Sequence, residues 1–174
     1  MGQPKALLDF GGQPLWKRQM EKLQALAPNE LFLSFPPSLP LPSGPWQALH
    51  DEKVGLGPLS GLHAALRIMK SKWLVVLAVD LPDMTPAFLQ NLYDLALAKG
   101  CGVVPQLDGF NQCLAAIYPR ELAVLCGKHL ASPDRSLQGL ARQVVADGLL
   151  SVYPVAEEER PYFRNVNRPV DLES

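Results

Sequence analysis

Cysteine is scarce in this chain of 174 residues: Cys101, Cys113 and Cys126 are odd in number and lack a CxxC spacing. That argues against a disulfide framework or a zinc site, and the expected compartment is a reducing cytoplasm. The cysteines lie within apolar stretches and read as small core residues. Histidine is equally sparse. His50, His63 and His129 share no ligand or relay spacing, so neither a Ser–His–Asp nor a Cys–His hydrolase has a supporting motif. His63 lies beside the apolar stripe of a helical pattern and is expected to be partly buried. Charge is also thin, with 19% charged residues and a net charge of −1, both signs mixed along the chain. No broad nucleic-acid surface is expected from that balance, whereas a small anionic ligand needs only a local positive site. Long apolar runs are missing too. The stretch "WLVVLAV" is far short of the roughly 20 residues that span a bilayer, so no membrane partner is expected.

Hydrophobic residues, in contrast, make up 48% of the chain, enough for a full core in one domain over residues 1–174. "PLWKRQMEKLQALA" (14–27) places Leu15, Gln19, Leu23 and Leu26 at helical spacing, with Pro14 suited to the first turn. "ELFLSF" (30–35) predicts a buried strand, and the prolines after it predict a stiff surface loop. "WQALHD" predicts a short strand. The spacing of Leu59, Leu62, Leu66 and Met69 predicts a helix over "LSGLHAALRIMK". "KWLVVLAVD" carries seven consecutive apolar residues, the pattern of a strand buried on both faces. "TPAFLQNLYDLALAKG" predicts a helix capped by Thr85, with Pro86 in its first turn and Gly100 at its end. Strands "CGVVPQ" and "QCLAAIYP" flank a turn at Asp108-Gly109. Helical stretches over 120–130 and 136–147 follow, then the strand "LLSVYPV". Helices alternating with apolar strands predict an α/β layered fold with a mostly parallel sheet.

In such sheets ligands bind beyond the carboxyl ends of the strands. Asp80 ends the strongest strand, where its carboxylate suits a hard cation such as Mg²⁺. It equally suits a turn begun with Pro82, and the motif alone leaves both readings open. Asp83 is expected as a cap or a surface carboxylate. "GLGPLSG" (55–61) opens a helix with flexible backbone and free N–H groups, a ready anion site. Asn165 and Asn167 stand at period two in "FRNVNRPVDL", on one side of an extended segment or in a turn before a short helix. Lys5 follows a glycine and a proline but no apolar strand.

Four of these stretches, "MGQPKALL", "GPLSGLHAAL", "VDLPDMTP" and "FRNVNRPVDL", occur in an order that resembles the molybdenum cofactor guanylyltransferases. These are nucleotidyltransferases that join GTP to molybdopterin. The stretch "GQPKALL" is similar to the second half of the family's signature loop, Leu-Ala-Gly-Gly-x-Ser-x-Arg-Met-Gly-x-x-Lys. "DRSLQGL" and the Gln112 strand also look like family features.

The resemblance implies a three-layer Rossmann-like nucleotidyltransferase fold. It further implies that Lys5 contacts nucleotide phosphates, that Gly57 and Gly61 lie near base and ribose, and that Asp51 is the family's acidic residue. Asp80 becomes the Mg²⁺ ligand, and Asn165 and Asn167 fall on the molybdopterin side of the cleft. GTP and molybdopterin are the implied substrates, and carriers or acceptor enzymes of the cofactor are possible partners. Arg168 departs from the usual threonine and Cys113 from a frequent proline. The first strand, the paired glycines, the serine and the arginine of the signature are missing, so an N-terminally truncated enzyme is expected, with Met1 an internal methionine of the signature. A related cytidylyltransferase remains open, as does a catalytically inactive domain that binds molybdopterin or nucleotide.

Overall fold

Local signals build most of the elements. A computed structural model describes residues 5–35, 42–49 and 57–166. Helix α1 (Leu15–Gln24) starts after an extended Pro14 and buries Leu15, Gln19 and Met20. It stops short of the expected Ala27. Pro28 disfavours the helical conformation in the residue before it, and Ala27 instead takes φ 48°. Helix α2 (Pro58–Ile68) begins at Gly57. Helix α3 (Pro86–Lys99) has the expected ends: Thr85 Oγ1 accepts from the Phe88 N–H at 3.2 Å, and Gly100 closes the helix at φ 68°. Helix α4 spans Ala123–Leu130. Helix α5 (Leu137–Ala146) is capped by Ser136, whose Oγ accepts from the Gly139 N–H.

The strands form a mixed arrangement. β1 (Phe32–Ser34) and β2 (Gln47–Leu49) make a parallel pair of their own. In the larger sheet β3 (Trp73–Leu77) pairs antiparallel with β6 (Ala115–Pro119), and β6 with β4 (Gly102–Leu107). β4 continues through Asp108 and Gly109, both at positive φ, into the short β5 (Phe110–Asn111), and pairs in parallel with β7 (Leu150–Pro154).

Alternation along β4 and β6 then sorts the core into two layers. Val104, Ala116 and Tyr118 pack with α2, α4 and α5 through residues such as Leu66, Cys126 and Leu140. Val103, Ala115 and Ile117 pack with α3 through Phe88, Leu89 and Leu92. Helices thus cover both faces, as a three-layer fold requires. Among the described residues no helix is long and apolar enough to cross a membrane.

β3 departs from its expected burial on both faces. Each of its five residues is only half-buried, because the edge away from β6 carries no ladder partner among the described residues. A cleft of about 320 Å³ lies on that side, walled by Leu31 and Phe32 before and in β1 and by Trp73, Leu74 and Val75 of β3. Glu30 ties the two amino ends together. Its carboxylate accepts from the Lys70 and Ser71 N–H groups and from the Ser71 hydroxyl, at 2.8 to 3.1 Å.

Desolvation raises the Glu30 pKa, but the bonds from Ser71 and Lys70 outweigh it and hold the carboxyl below its usual 4.5. A depressed folded-state pKa adds stability above the unfolded value and loses it as pH falls through the folded one. Glu30→Gln is expected to cost about 1 kcal/mol at neutral pH, a small figure because water still screens the partly exposed group. That cost should vanish on acidification below 4.5. Urea unfolding of both proteins across that range checks it, and a pH-independent difference would remove the carboxylate from the account.

Candidate functional site

The turn that follows β3 carries Asp80, and nearly every acceptor along it is held from outside the sheet. Gln19 on α1 donates from its side-chain amide to the Ala78 carbonyl at 2.8 Å and to the Leu81 carbonyl at 2.7 Å. Lys22, one helical turn on, donates to the Pro82 carbonyl, and Arg18 Nε makes a long contact of 3.5 Å to the same oxygen. Burial, together with the Arg18 charge, lowers the Lys22 pKa to about 8, against the opposing pull of Asp83.

The C-terminal side grips the turn from elsewhere. Arg164 Nε donates to the Asp83 carboxylate at 2.7 Å, and the Val166 N–H donates to the Asp80 carbonyl at 2.9 Å. Val166 itself is fully buried among Leu8, Leu15 and Val79. Asp83, expected as a cap or a surface carboxylate, is therefore a docking partner for the tail. Its side chain is about one-third exposed.

The other predicted residues fall around this turn unevenly. Asn165 is exposed between Arg164 and Val166, so the tail bonds bring its backbone beside Asp80. Lys5 begins a single 3-10 turn, Lys5–Leu7. The residues after it span two strand ends: Ala6 and Leu7 pack with Leu33 and Phe35 at β1, and Leu8 packs with Val79 past β3. Gly57 is exposed at φ 68°, a conformation that favours glycine, and heads α2. Gly61 lies within α2, where a Cβ would stand 3.1 Å from Ser34 Oγ and crowd the carboxyl end of β1. Asp51 and Asn167 lie outside the described residues.

The cleft beside β3 is a different place, at the amino ends of the strands. Ligand chemistry in an α/β sheet belongs at the other end, where Asp80 stands. Among the described residues no three His, Cys, Asp or Glu side chains gather to hold a metal on their own. Mg²⁺ does not need such a cage, because one or two carboxylates suffice beside phosphate and water oxygens. Asp80 offers a hard oxygen donor, half-buried at the open end of β3 on a tightly held turn, and that donor set fits Mg²⁺. Burial pushes the Cys113 thiol up to about 11 and the Cys126 thiol to about 12, which leaves both neutral and unreactive in the core.

Gln19, Lys22 and Arg164 were not legible as site residues. Gln19 gave one signal, a polar side chain on the apolar face of a helix. Its partners lie 59 and 62 residues away, beyond the reach of any local pattern.

Residues 1–151 match the family model of the MobA-like NTP transferase domain. The chain is 34% identical over 175 residues to the "Probable molybdenum cofactor guanylyltransferase" of Opitutus terrae, covering 98% of this chain and 86% of that protein. It is 29% identical to the molybdenum cofactor guanylyltransferase of Pseudomonas putida, over 99% and 88% of the two chains. Among solved structures it resembles molybdopterin-guanine dinucleotide biosynthesis protein A from Archaeoglobus fulgidus. That match has a TM-score of 0.78 at 23% identity, over 99% of this chain and 88% of the other, and is a likeness of fold.

Proposed function

The chain belongs to the MobA-like NTP transferase family, and from that premise we propose that it transfers GMP from GTP to molybdopterin and releases pyrophosphate. One observation carries the reading to this chain's own residues. The tail bonds to the Asp80 carbonyl through Val166, which supports assigning the Asp80 carboxylate and the tail asparagines to one shared crevice.

A terminal phosphate oxygen of molybdopterin attacks the α-phosphorus of GTP, and the bond from that phosphorus to the oxygen bridging it to the β-phosphate breaks. The attacking group is already an anion near neutral pH, so no general base is required. The protein's task is alignment and charge neutralisation. Asp80 would hold Mg²⁺, which when bound neutralises charge on the triphosphate. Lys5 is assigned to the nucleotide phosphates. Gly57, Gly61 and Asp51 are assigned to the nucleotide, and Asn165 and Asn167 to the pterin. The free cysteines suit a reducing cytoplasm.

Equilibrium binding of GTP, CTP and ATP with and without Mg²⁺ tests the reading, followed by product analysis with molybdopterin. The expected result is Mg²⁺-dependent GTP binding at least about tenfold tighter than CTP, a margin of about 1.4 kcal/mol, and formation of the guanine dinucleotide. A preference for CTP would make the chain a cytidylyltransferase. Binding without turnover would make it a binding domain.

A further inference from the structure

Gln19 is 4% exposed, and while its amide nitrogen donates to two carbonyls, its Oε1 is buried without a hydrogen-bond partner. Such an oxygen forfeits its hydration with nothing in return, and buried groups of this kind call for an explanation. Stability is a poor one. A side chain of similar length without polar atoms would pack against the same neighbours and remove the orphaned oxygen. The Leu81 carbonyl would still accept from the Met84 N–H at 3.2 Å, and only the part-buried Ala78 carbonyl would give up its donor, a loss set against removal of the orphaned oxygen. What an apolar side chain cannot do is join the Ala78 and Leu81 carbonyls, which bracket Val79 and Asp80, through one NH₂ group. The bridge fixes the span of the turn and thereby where its carboxylate stands.

We propose that Gln19 is a positioning residue for Asp80: by bridging the Ala78 and Leu81 carbonyls it sets the turn from which Asp80 takes a divalent cation. This rests on the reading of Asp80 as the Mg²⁺ ligand. Groups that orient a ligand from behind typically cost about tenfold or more in metal affinity when removed. Lys22 and Arg164 hold the next part of the turn, at Pro82 and Asp83, and do not close the same span.

The test uses the full chain with GTP and Mn²⁺ as a paramagnetic probe, titrated by electron paramagnetic resonance. Wild type, Gln19→Met and Asp80→Asn are compared. GTP affinity in EDTA and melting temperature are measured alongside. Gln19→Met should weaken Mn²⁺ binding about tenfold, with metal-free GTP affinity near that of wild type and a melting temperature lower by no more than about 5 °C, for the donor lost to the Ala78 carbonyl. Unchanged Mn²⁺ binding in Gln19→Met beside a loss in Asp80→Asn overturns the proposal and leaves the metal reading standing. No loss in Asp80→Asn overturns the metal reading itself, and the proposal with it. A Gln19→Met chain that fails to fold, or loses metal and metal-free GTP binding together, makes Gln19 a core residue and overturns the proposal as well.

Discussion

Asp80→Asn is expected to lower guanylyl transfer about a thousandfold, equivalent to about 4 kcal/mol of lost transition-state stabilisation, while leaving the fold intact. Asparagine keeps the size of the side chain and removes the charge that a hard cation needs. The bonds that hold the turn run through the carbonyls of Ala78, Asp80, Leu81 and Pro82 and through the Asp83 carboxylate, none of which the substitution touches. Melting temperatures of both proteins, measured alongside, separate a loss of chemistry from a loss of fold. Steady-state turnover at saturating Mg²⁺ decides the matter, and a mutant rate comparable to wild type would end the metal assignment.

The largest expected effect on stability comes from Gly102→Ala at the start of β4. Replacing a glycine with alanine in an extended strand ordinarily helps, by about 0.4–1 kcal/mol, because it restricts the unfolded chain. Here the sign reverses. A Cβ on Gly102 would stand 2.2 Å from Leu150 Cδ2, 2.5 Å from the Ile117 carbonyl oxygen and 2.8 Å from Pro119 Cδ. Leu150 could rotate away, but the Ile117 oxygen is backbone of β6, and β4 is wedged between β6 and β7. Relief requires a strand to move, with an expected cost of about 3 kcal/mol, and in a domain of this size a fall of about 10 °C in melting temperature. A midpoint unchanged in urea and in heat would mean that the sheet gives way there at little cost.

Elements whose causes are local were legible in the sequence. Thr85, Pro86 and Gly100 bracket α3 because a cap, a first-turn proline and a left-handed glycine each act within one turn of the helix. The Asp108-Gly109 turn is set by its two positive φ angles. The Asp80 position followed from an apolar run ending in a carboxylate, and the order of the motifs carried the family. Burial of β3 was not legible, because an apolar strand reads the same whether or not a neighbour covers its edge. Asp83 was misjudged for a related reason: its partner Arg164 is 81 residues away, and no spacing rule connects them. Gln19 was visible as an oddity on the apolar face of α1, but its meaning depended on which carbonyls the folded chain placed opposite.

The grip on the Asp80 turn also bears on how ligand affinity should be read. Two separate bodies hold that turn, α1 through Gln19 and Lys22, and the tail through Arg164 and Val166. Neither is a strand of the main sheet, and segments outside a sheet open locally at a lower free-energy cost than global unfolding. If the nucleotide site is built on this turn, as proposed, only molecules with both docked would present it complete, and the measured dissociation constant would equal the intrinsic one divided by the docked fraction. On that reading, conditions that loosen the tail are expected to weaken nucleotide binding without altering any group assigned to the nucleotide. A ligand that needs the assembled turn will, in return, raise the docked population.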